Sequence, residues 1–250
     1  MTLTPSAVDQ RVSLAVSTVV FALRPHPATG QLTLWLPLVR RIREPYEGAW
    51  ALPGGPLEPH EDLAASAQNT LDRTTGLAPR HLEQLYSFGE ADRSPTVDRD
   101  GRVVSVVYWA LVRPDEAARA VAKAEQDQAE QNKAGQNKAG QYGENVQWFV
   151  ADDVPDLAFD HNAILEYALA RLRAKITYSP IAFAFCNDEF TLAELREVHE
   201  AVLCKQIDPA NFRRQVLATR TVLPTGACVQ GTSHRPPALY RFEPHHEETA

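Results

Sequence analysis

Cysteine is scarce in this sequence and is not spaced for metal or disulfide chemistry. The 250 residues contain Cys186, Cys204 and Cys228. This is an odd number, without the paired spacing of a zinc site or the framework of a disulfide scaffold. We therefore expect reduced thiols, as in a cytoplasm, and expect each of them to be a small packed residue instead of a reactive centre.

Long apolar runs are also absent. The longest candidate, residues 14–23, is interrupted by Ser17 and Thr18 and is too short to span a bilayer. No positively charged start leads into an apolar run, so no secretory signal is expected. With 44% hydrophobic residues, the chain is predicted to be soluble and cytoplasmic, without a membrane partner, and two modest cores fit its length better than one large core.

Carboxylates are missing from several positions of residues 55–77, although the spacing of this segment is that of a loop and helix that bind a metal ion through carboxylates. Residues 55–77 read GPLEPHEDLAASAQNTLDRTTGL, the spacing of a loop and helix that hold a divalent cation for diphosphate hydrolysis. Hard cations need carboxylate oxygens to bind and to activate water. The segment resembles the Nudix box, which is Gly, five residues, Glu, seven residues, then Arg-Glu-apolar-x-Glu-Glu-x-Gly-apolar. The matching residues are Gly55, Glu61, Leu71, Gly76 and Leu77.

The departures from the box fall on its metal-binding part. Asn69 stands for the Arg, Thr70 for the first helix Glu, and Arg73 and Thr74 for the final Glu pair. A guanidinium where a cation ligand belongs repels the ion instead of binding it. We therefore expect a degenerate box with no catalytic residues and no metal.

The stretch before the box carries the candidate ligand contacts. Residues 38–55, LVRRIREPYEGAWALPGG, resemble the Nudix hydrolases and relatives that take ADP-ribose. The resemblance implies no cofactor but an ADP-ribose or NAD-related nucleotide as effector, and a diglycine after a strand allows close approach to phosphate oxygens. A packed Trp50 and solvated Arg41 and Arg43 are the alternatives to ligand contact. The predicted effector-binding residues are Gly54, Gly55, Arg41, Arg43, Trp50 and Arg93.

Strand and helix patterns can be placed along the first part of the chain. The segments SLAVSTVVFAL and QLTLWLPLVRR, separated by a turn at residues 27–30, predict a β-hairpin. The box helix is predicted over residues 61–75, with Glu61 and Asp62 in its first turn and Gly76 at its end. Residues 102–113 predict a central strand, and apolar positions recur at helical spacing from Asn162. Between these last two elements, residues 116–143 are rich in Ala, Gln, Lys and Gly and predict a helical start that fades into a loop.

The last part of the chain has the pattern of a helix-turn-helix. Thr191 with Glu194 forms a capping box that opens one helix, and Asp208 with Pro209 opens a second helix after a short turn. In such a motif the second helix presents its N-terminal residues to the DNA major groove. Strand-like pieces at residues 221–223 and 238–242 then predict a wing.

Charge supports a nucleic-acid partner for this part. Residues 209–242 contain five Arg and no Lys, Asp or Glu, so they carry +5, and the rest of the chain, whose total is −7, sums to −12. A basic patch on an acidic protein is expected where phosphate backbones bind. Helical geometry makes Phe212 a core anchor and directs Arg214 outward. The predicted DNA-binding residues are Asn211, Arg213, Arg214, Arg220, His234 and Arg235.

Taken together, the chain resembles the Nudix-related transcriptional regulators over nearly its whole length. The resemblance implies an α+β protein with an N-terminal Nudix-like α/β/α sandwich on a mixed sheet, residues 1–175, and a C-terminal winged helix-turn-helix, residues 176–250. It further implies a homodimeric repressor of genes for NAD biosynthesis or salvage that binds a palindromic double-stranded DNA operator. The sign of the effector's action is not fixed by the sequence.

Two alternatives remain open at this point. Glu58 and Glu61 are acidic residues near the loop, and with them the chain would be a weak ADP-ribose pyrophosphatase that also binds DNA. The third hypothesis keeps the nucleotide-binding domain and makes the C-terminal part a protein-docking module, because helix-turn-helix geometry also builds protein-protein contacts.

Overall fold

A computed structural model describes residues 12–91, 93, 102–117, 145–230 and 236–244. Among these residues, seven strands form one sheet: Val12–Pro25 (β1), Leu32–Arg40 (β2), Trp50–Ala51 (β3), Gly54–Pro56 (β4), His81–Phe88 (β5), Arg102–Val112 (β6) and Val146–Val150 (β7). The order is β3-β2-β1-β6-β5, with β4 on β1 and β7 on β2. Only the pairing of β1 with β6 is parallel among the described strands, so the sheet is mixed, as predicted.

The strand predictions for the first half are confirmed. β1 and β2 form the antiparallel hairpin, with Ala22 opposite Trp35, and Gly30 takes a positive φ of 70° in the turn between them, a conformation that favours glycine. β6 lies between β1 and β5, and its residues from Ser105 onward are buried. A strand covered on both faces needs such a continuous apolar run.

The box helix, α1, spans Leu63–Thr75 and so begins two residues later than predicted. The expected acidic first turn is wrong, since Asp62 is the extended N-cap residue and the first turn contains no acid. The Glu61 carboxylate instead accepts a hydrogen bond from Asn69 Nδ2 at 2.7 Å, which holds Glu61 beside the helix. The predicted end is confirmed, because Gly76 has a φ of 66° and its N–H donates to the Asp72 carbonyl.

The remaining helices follow in the predicted order. The helix predicted from Asn162 is α2, His161–Lys175, and its predicted apolar positions are all buried: Ile164, Leu165, Ala168, Leu169 and Leu172. A 3₁₀ helix, Pro180–Phe185, leads to the two helices of the predicted helix-turn-helix, which span Leu192–Leu203 (α3) and Pro209–Ala218 (α4).

A two-stranded wing completes the described fold. Its strands, Val222–Cys228 (β8) and Ala238–Phe242 (β9), are antiparallel. β8 is longer than the predicted 221–223 segment because the strand continues through a register shift between Pro224 and Cys228. Gly226, which lies between the two predicted strand pieces, falls inside this shift with a φ of 84°. A glycine in a strand interior often marks such a bulge. Gly231 and Ser233, which also lie between these pieces, are outside the described residues.

The apolar core does not divide into the two separate cores that composition favoured. One cluster of buried side chains continues from Leu34, Leu36 and Leu38 of β2 to Leu195 of α3 and Phe212 of α4. α3 packs directly against β2, which explains the continuity. On the opposite face of the sheet, α1 covers smaller clusters through Ala67 and Leu71.

No helix in the described part of the chain is long and apolar enough to cross a membrane. Most of the insertion at residues 116–143 lies outside the described residues, as do residues 98–100 and the predicted DNA contacts His234 and Arg235.

The two neighbouring glycines of the Pro-Gly-Gly segment should respond differently to alanine. A Cβ on Gly54 would lie 2.8 Å from the Val16 carbonyl oxygen and 3.0 Å from Ser17 Cα, whereas a Cβ on Gly55 meets nothing within 4 Å. Because backbone atoms of β1 must then move, Gly54→Ala should lower the free energy of unfolding by about 1 to 3 kcal/mol. Gly55→Ala, the matched control, should leave it within about 1 kcal/mol of wild type. Urea denaturation measures both, and equal effects would contradict this account.

Candidate functional site

A cleft of about 220 Å³ opens between the end of β2 with its following loop and the C-terminal part of α1. We call it the loop cleft. It brings together four residues that sequence reasoning singled out separately, Arg41, Arg43, Gly54 and Thr74. Its other lining residues are Val39, Arg40, Ile42, Ala51 and Leu52. Three arginine side chains, those of Arg40, Arg41 and Arg43, beside a glycine that lacks a Cβ atom form a surface suited to an anionic ligand.

Arg41 is held in place by its own loop. Its Nε donates to the Pro45 carbonyl at 2.8 Å, its Nη2 donates to the Arg43 carbonyl at 3.3 Å, and its guanidinium lies 4.6 Å from the centre of the Phe159 ring. Burial lowers the pKa of Arg41, against the opposing effect of Glu44. Arg43, by contrast, is exposed. Arg40 is exposed as well, and its Nε donates to the Gly48 carbonyl at 3.1 Å. The cleft therefore offers the oriented guanidinium of Arg41 and two exposed guanidinium groups.

The diglycine has a structural reason that the sequence did not reveal. Gly54 pairs with Ser17 of β1, and the absence of a Cβ there allows β4 to lie against β1. Gly55 pairs with Val16 and has open space where a Cβ would be. Close packing of two strands thus accounts for Gly54, and close approach to a phosphate remains a prediction for both glycines.

Trp50 and Arg93 are not among the described residues that line the loop cleft. Trp50 is half-buried and packs edge-on against Phe149, with ring centres 5.1 Å apart. Arg93 is almost entirely buried, where it donates two hydrogen bonds of 2.8 Å to the Asp160 carboxylate. It also donates to Ser105 Oγ at 2.8 Å. Their predicted contact with a ligand stays a prediction.

The box residues that replace the metal ligands bond to one another. Thr74 Oγ1 donates to the Thr70 carbonyl at 2.6 Å, and Arg73 Nη2 lies 3.5 Å from Thr70 Oγ1. Thr70 itself is buried. Hydrogen bonds from Asn69 and then from Ser66 lower the pKa of the exposed Glu61 carboxyl. In the described residues no group of three or more His, Cys, Asp and Glu side chains is arranged to hold a metal ion.

Sequence reasoning missed two residues that contact the lining of the loop cleft, His161 and Phe159. His161, the first residue of α2, accepts a hydrogen bond at Nδ1 from the Leu52 N–H at 3.0 Å. Phe159 has a φ of 58°, and its ring contacts Tyr46, with centres 4.9 Å apart. The one available signal is the Phe-Asp-His segment before a helix, but nothing in its spacing connects it to residues more than 100 positions earlier.

A second cleft of about 240 Å³ lies where the sheet meets the 3₁₀ helix and the wing. Its guanidinium groups belong to Arg80 and Arg113, which both pair with Asp188, at 3.5 Å and 2.9 Å. Arg80 also lies 4.0 Å from Glu116 and Arg113 lies 3.8 Å from Asp115, so each guanidinium of this junction cleft has carboxylate partners within the chain. The loop cleft is the better candidate for a nucleotide because none of its three arginines, Arg40, Arg41 and Arg43, has a carboxylate partner among the described residues that line it.

The helix-turn-helix is stabilised by the capping groups that the sequence indicated. Thr191 Oγ1 accepts from the Glu194 N–H and the Glu194 carboxylate accepts from the Thr191 N–H, which completes the capping box. Asp208 Oδ1 accepts from the Asn211 N–H at 2.8 Å at the start of α4. The ring of His199 packs against that of Phe212, with centres 5.3 Å apart, and burial lowers the pKa of His199.

α4 presents the predicted nucleic-acid face to solvent. Phe212 is buried while Asn211, Arg213 and Arg214 are exposed, and Arg214 Nη2 donates to Asn211 Oδ1 at 2.7 Å. Arg220, at the start of the wing, is exposed with a φ of 58°. These four predicted DNA-binding residues lie in one continuous segment around α4. The arrangement is that of a recognition helix held by one aromatic anchor.

The chain matches two protein families and a curated relative. The NUDIX domain family matches residues 15–171, and the NrtR DNA-binding winged helix domain family matches residues 182–242. The ADPR responsive transcriptional repressor NtrR of Acinetobacter baylyi is 33% identical over 217 residues, which are 85% of this chain and 76% of that protein.

Two further similarities, one to a regulator and one to a hydrolase, differ in how much of the chain they cover. The crystal structure of Shewanella oneidensis NrtR complexed with a 27mer DNA has 29% sequence identity and a TM-score of 0.70, covering 92% of this chain and 93% of that chain. An ADP-ribose pyrophosphatase of Methanocaldococcus jannaschii is 28% identical over 129 residues, 52% of this chain and 62% of that protein. The similarity to the regulators therefore extends over much more of the chain.

His161 should make stability depend on pH. Burial lowers its pKa to about 4, with smaller opposing and assisting effects of Asp160 and of Arg93 and Arg41. An unfolded histidine titrates near about 6.5, so between these values the unfolded chain binds more protons. The free energy of unfolding should therefore fall as the pH falls from about 6.5 to about 4, by about 3 kcal/mol in total.

Urea denaturation of wild type, His161→Asn and His60→Asn, at about pH 7 and about pH 5, measures this effect. Asparagine keeps an acceptor for the Leu52 N–H but does not titrate, so His161→Asn should lose the part of the difference that His161 contributes. The parts from His81 and His199, whose pKa values burial also lowers, should remain. His60 is exposed, and its variant should keep the difference. A wild-type pH dependence in His161→Asn would contradict the role of this residue.

Proposed function

This chain belongs to the NrtR family of Nudix-related transcriptional regulators, and we propose that it represses genes for NAD biosynthesis or salvage in response to ADP-ribose or a related nucleotide. Residues 1–175 form the sensing domain in this proposal, and residues 176–250 form the DNA-binding domain. Repression of chromosomal genes implies that the protein acts in the cytoplasm. The observation that carries the proposal is the exposed arginine face of α4, anchored by the buried Phe212, on an acidic chain.

Electrostatics supports DNA as the partner of this face. The −12 charge of the rest of the chain is repelled by phosphates, whereas the +5 stretch is attracted, so the field orients the protein with α4 and the wing toward the duplex. A homodimer follows from the same argument, because two recognition helices related by a two-fold axis match a palindromic operator.

The loop cleft is the proposed effector site. The A. baylyi relative is ADPR responsive, and ADP-ribose carries a pyrophosphate that needs cationic and N–H donors. Arg41 and Arg43, with the backbone at Gly54, supply such groups at one cleft. An effector acts on DNA binding only as far as it binds one arrangement of the dimer more tightly than another.

Catalysis is not part of the proposed function. Metal activation of water supplies most of the rate enhancement in this hydrolase chemistry, and the positions of three box carboxylates hold Thr70, Arg73 and Thr74. The remaining carboxylate, Glu61, is engaged with Asn69. A ligand can therefore occupy the loop cleft without being consumed.

Arg214→Ala should weaken operator binding. We expect a loss of about 1 to 3 kcal/mol in fluorescence anisotropy titrations at fixed salt. If Arg214 reads a base, affinity for unrelated DNA should stay unchanged, whereas a phosphate contact should weaken both alike. Arg171→Ala is the matched control, because Arg171 is exposed on α2 of the sensing domain and its removal changes the net charge equally. Unchanged operator affinity in Arg214→Ala would exclude α4 as the recognition helix.

The wild-type chain should not hydrolyse ADP-ribose when Mg²⁺ is present. Release of AMP, followed by chromatography, should equal that of the Glu61→Gln variant, which removes the last box carboxylate. A metal-dependent release by wild type above this control would favour the pyrophosphatase alternative. The triple variant Thr70→Glu, Arg73→Glu, Thr74→Glu restores the ligand set. A gain of hydrolysis in it would show that only the carboxylates were lost, and no gain would show a wider departure of the pocket.

A further inference from the structure

α2 is attached at its N-terminal end to the loop cleft. His161 accepts the Leu52 N–H at 3.0 Å, and Leu52 lines the cleft. Phe159, two residues before the helix, supports the Arg41 guanidinium at 4.6 Å. A ligand that moves Arg41 or the 50–54 segment therefore acts directly on the start of α2.

The C-terminal end of α2 is attached to the helix-turn-helix through Arg173. Its Nε donates to the Val202 carbonyl at 3.0 Å, and Val202 lies in the last turn of α3. Its Nη2 lies 2.7 Å from each oxygen of the Asp152 carboxylate and 3.5 Å from Cys204 Sγ. One side chain thus joins α2, the segment after β7 and the end of α3.

The two attachments are connected by a stiff element. A helix of the length of α2 spans about 22 Å, and its buried face is fixed in the core by Ile164, Ala168 and Leu172. Beyond Val202, Cys204 is the left-handed C-cap of α3, and the turn after it ends at Asp208, the N-cap of α4. A tilt of α2 at the cleft therefore reaches the recognition helix through the Arg173 contact with α3 and the short turn from Cys204 to Asp208.

Other contacts between the sheet and the helix-turn-helix are less directional. The packing of α3 on β2 is apolar, and apolar attraction is non-directional. The Arg113 pair with Asp188 holds the segment before α3, not its end, and the Asp188 side chain is 82% exposed. Arg173 is the described side chain that binds both a main-chain carbonyl of α3 and a carboxylate of the sheet region.

We propose that Arg173 is the positioning residue that couples the loop cleft to the recognition helices, with α2 as the rigid connection between them. The inference rests on the proposed function, since it concerns how nucleotide binding changes DNA binding. Arg173 contacts neither ligand in this mechanism. It fixes the angle between α2 and the end of α3, so that a ligand-dependent tilt of α2 changes the spacing of the two recognition helices in a dimer.

The test compares operator affinity with and without saturating ADP-ribose in wild type and three variants. The measured quantity is the ratio of the two dissociation constants, from fluorescence anisotropy, together with ADP-ribose affinity from calorimetry. In wild type the ratio should differ from one by at least about fivefold, in the usual range of coupling between sites. Arg173→Met should bring the ratio to within about twofold of one, with ADP-ribose affinity and effector-free operator affinity nearly unchanged.

Two variants make the result specific. Arg171→Gln removes a charge from an exposed position two residues away on the same helix and should keep the wild-type ratio. Asp152→Asn leaves the bond to the Val202 carbonyl in place and removes only the ionic partner, so it should reduce the ratio partially. Circular dichroism and thermal unfolding report whether each variant is folded.

The outcomes separate the coupling from the function itself. A wild-type ratio of the two dissociation constants in folded Arg173→Met would overturn the inference while leaving the proposed function intact. Equal loss of coupling in Arg171→Gln would also overturn it, because charge alone would then be responsible. If wild type binds operator DNA or ADP-ribose only non-selectively, the proposed function fails, and the coupling fails with it. If Arg173→Met does not fold, the comparison of Asp152→Asn with Arg171→Gln tests the inference. A reduced ratio in Asp152→Asn alone would support it, and equal ratios in the two variants would overturn it.

Discussion

The packing of α3 on β2 is the constraint on which the rest of the structure depends. It merges the core under the sheet with the core of the helix-turn-helix, so that Leu36 and Phe212 belong to one apolar cluster. A linker between separate cores would leave the recognition helix free to reorient. In the described part of this fold, no flexible linker lies between the sheet and the helix-turn-helix within the shared core. A conformational change in the sheet is therefore either prevented by the packing of the core or accompanied by a displacement of α4.

The charges of the chain are separated, although its apolar core is continuous. The cationic residues are concentrated in the stretch 209–242, and the acidic excess lies in the rest of the chain. At physiological salt, exposed charges are screened beyond about 8 Å, so the arginines near α4 act on a nearby phosphate backbone while the acidic surface of the sensing domain has little effect there. The same separation reduces non-specific association of the sensing domain with DNA.

Much of this fold was predictable from local sequence rules. The capping box at Thr191, the N-cap at Asp208 and the terminating Gly76 each depend on residues within four positions, and each was confirmed. The contacts that were missed join distant segments, as His161 does with Leu52 and Arg173 with Val202. Neither composition nor periodicity encodes such pairs. The start of α1 at Leu63, two residues after the predicted start, also involves a contact between residues that are not adjacent. Glu61 accepts a hydrogen bond from the side chain of Asn69, eight residues later in the chain.

The substitutions in the box also have a physical consequence for sensing. A hydrolase that binds ADP-ribose destroys its signal, so the occupancy of its site reports turnover as well as concentration. With a metal site removed, occupancy depends only on the ligand concentration and the dissociation constant, and the binding free energy can shift a conformational equilibrium. Thr70, Arg73 and Thr74 preserve the helix that forms one wall of the loop cleft, through hydrogen bonds in place of metal ligation. In the proposed function, the box helix keeps the shape of the cleft without consuming the ligand.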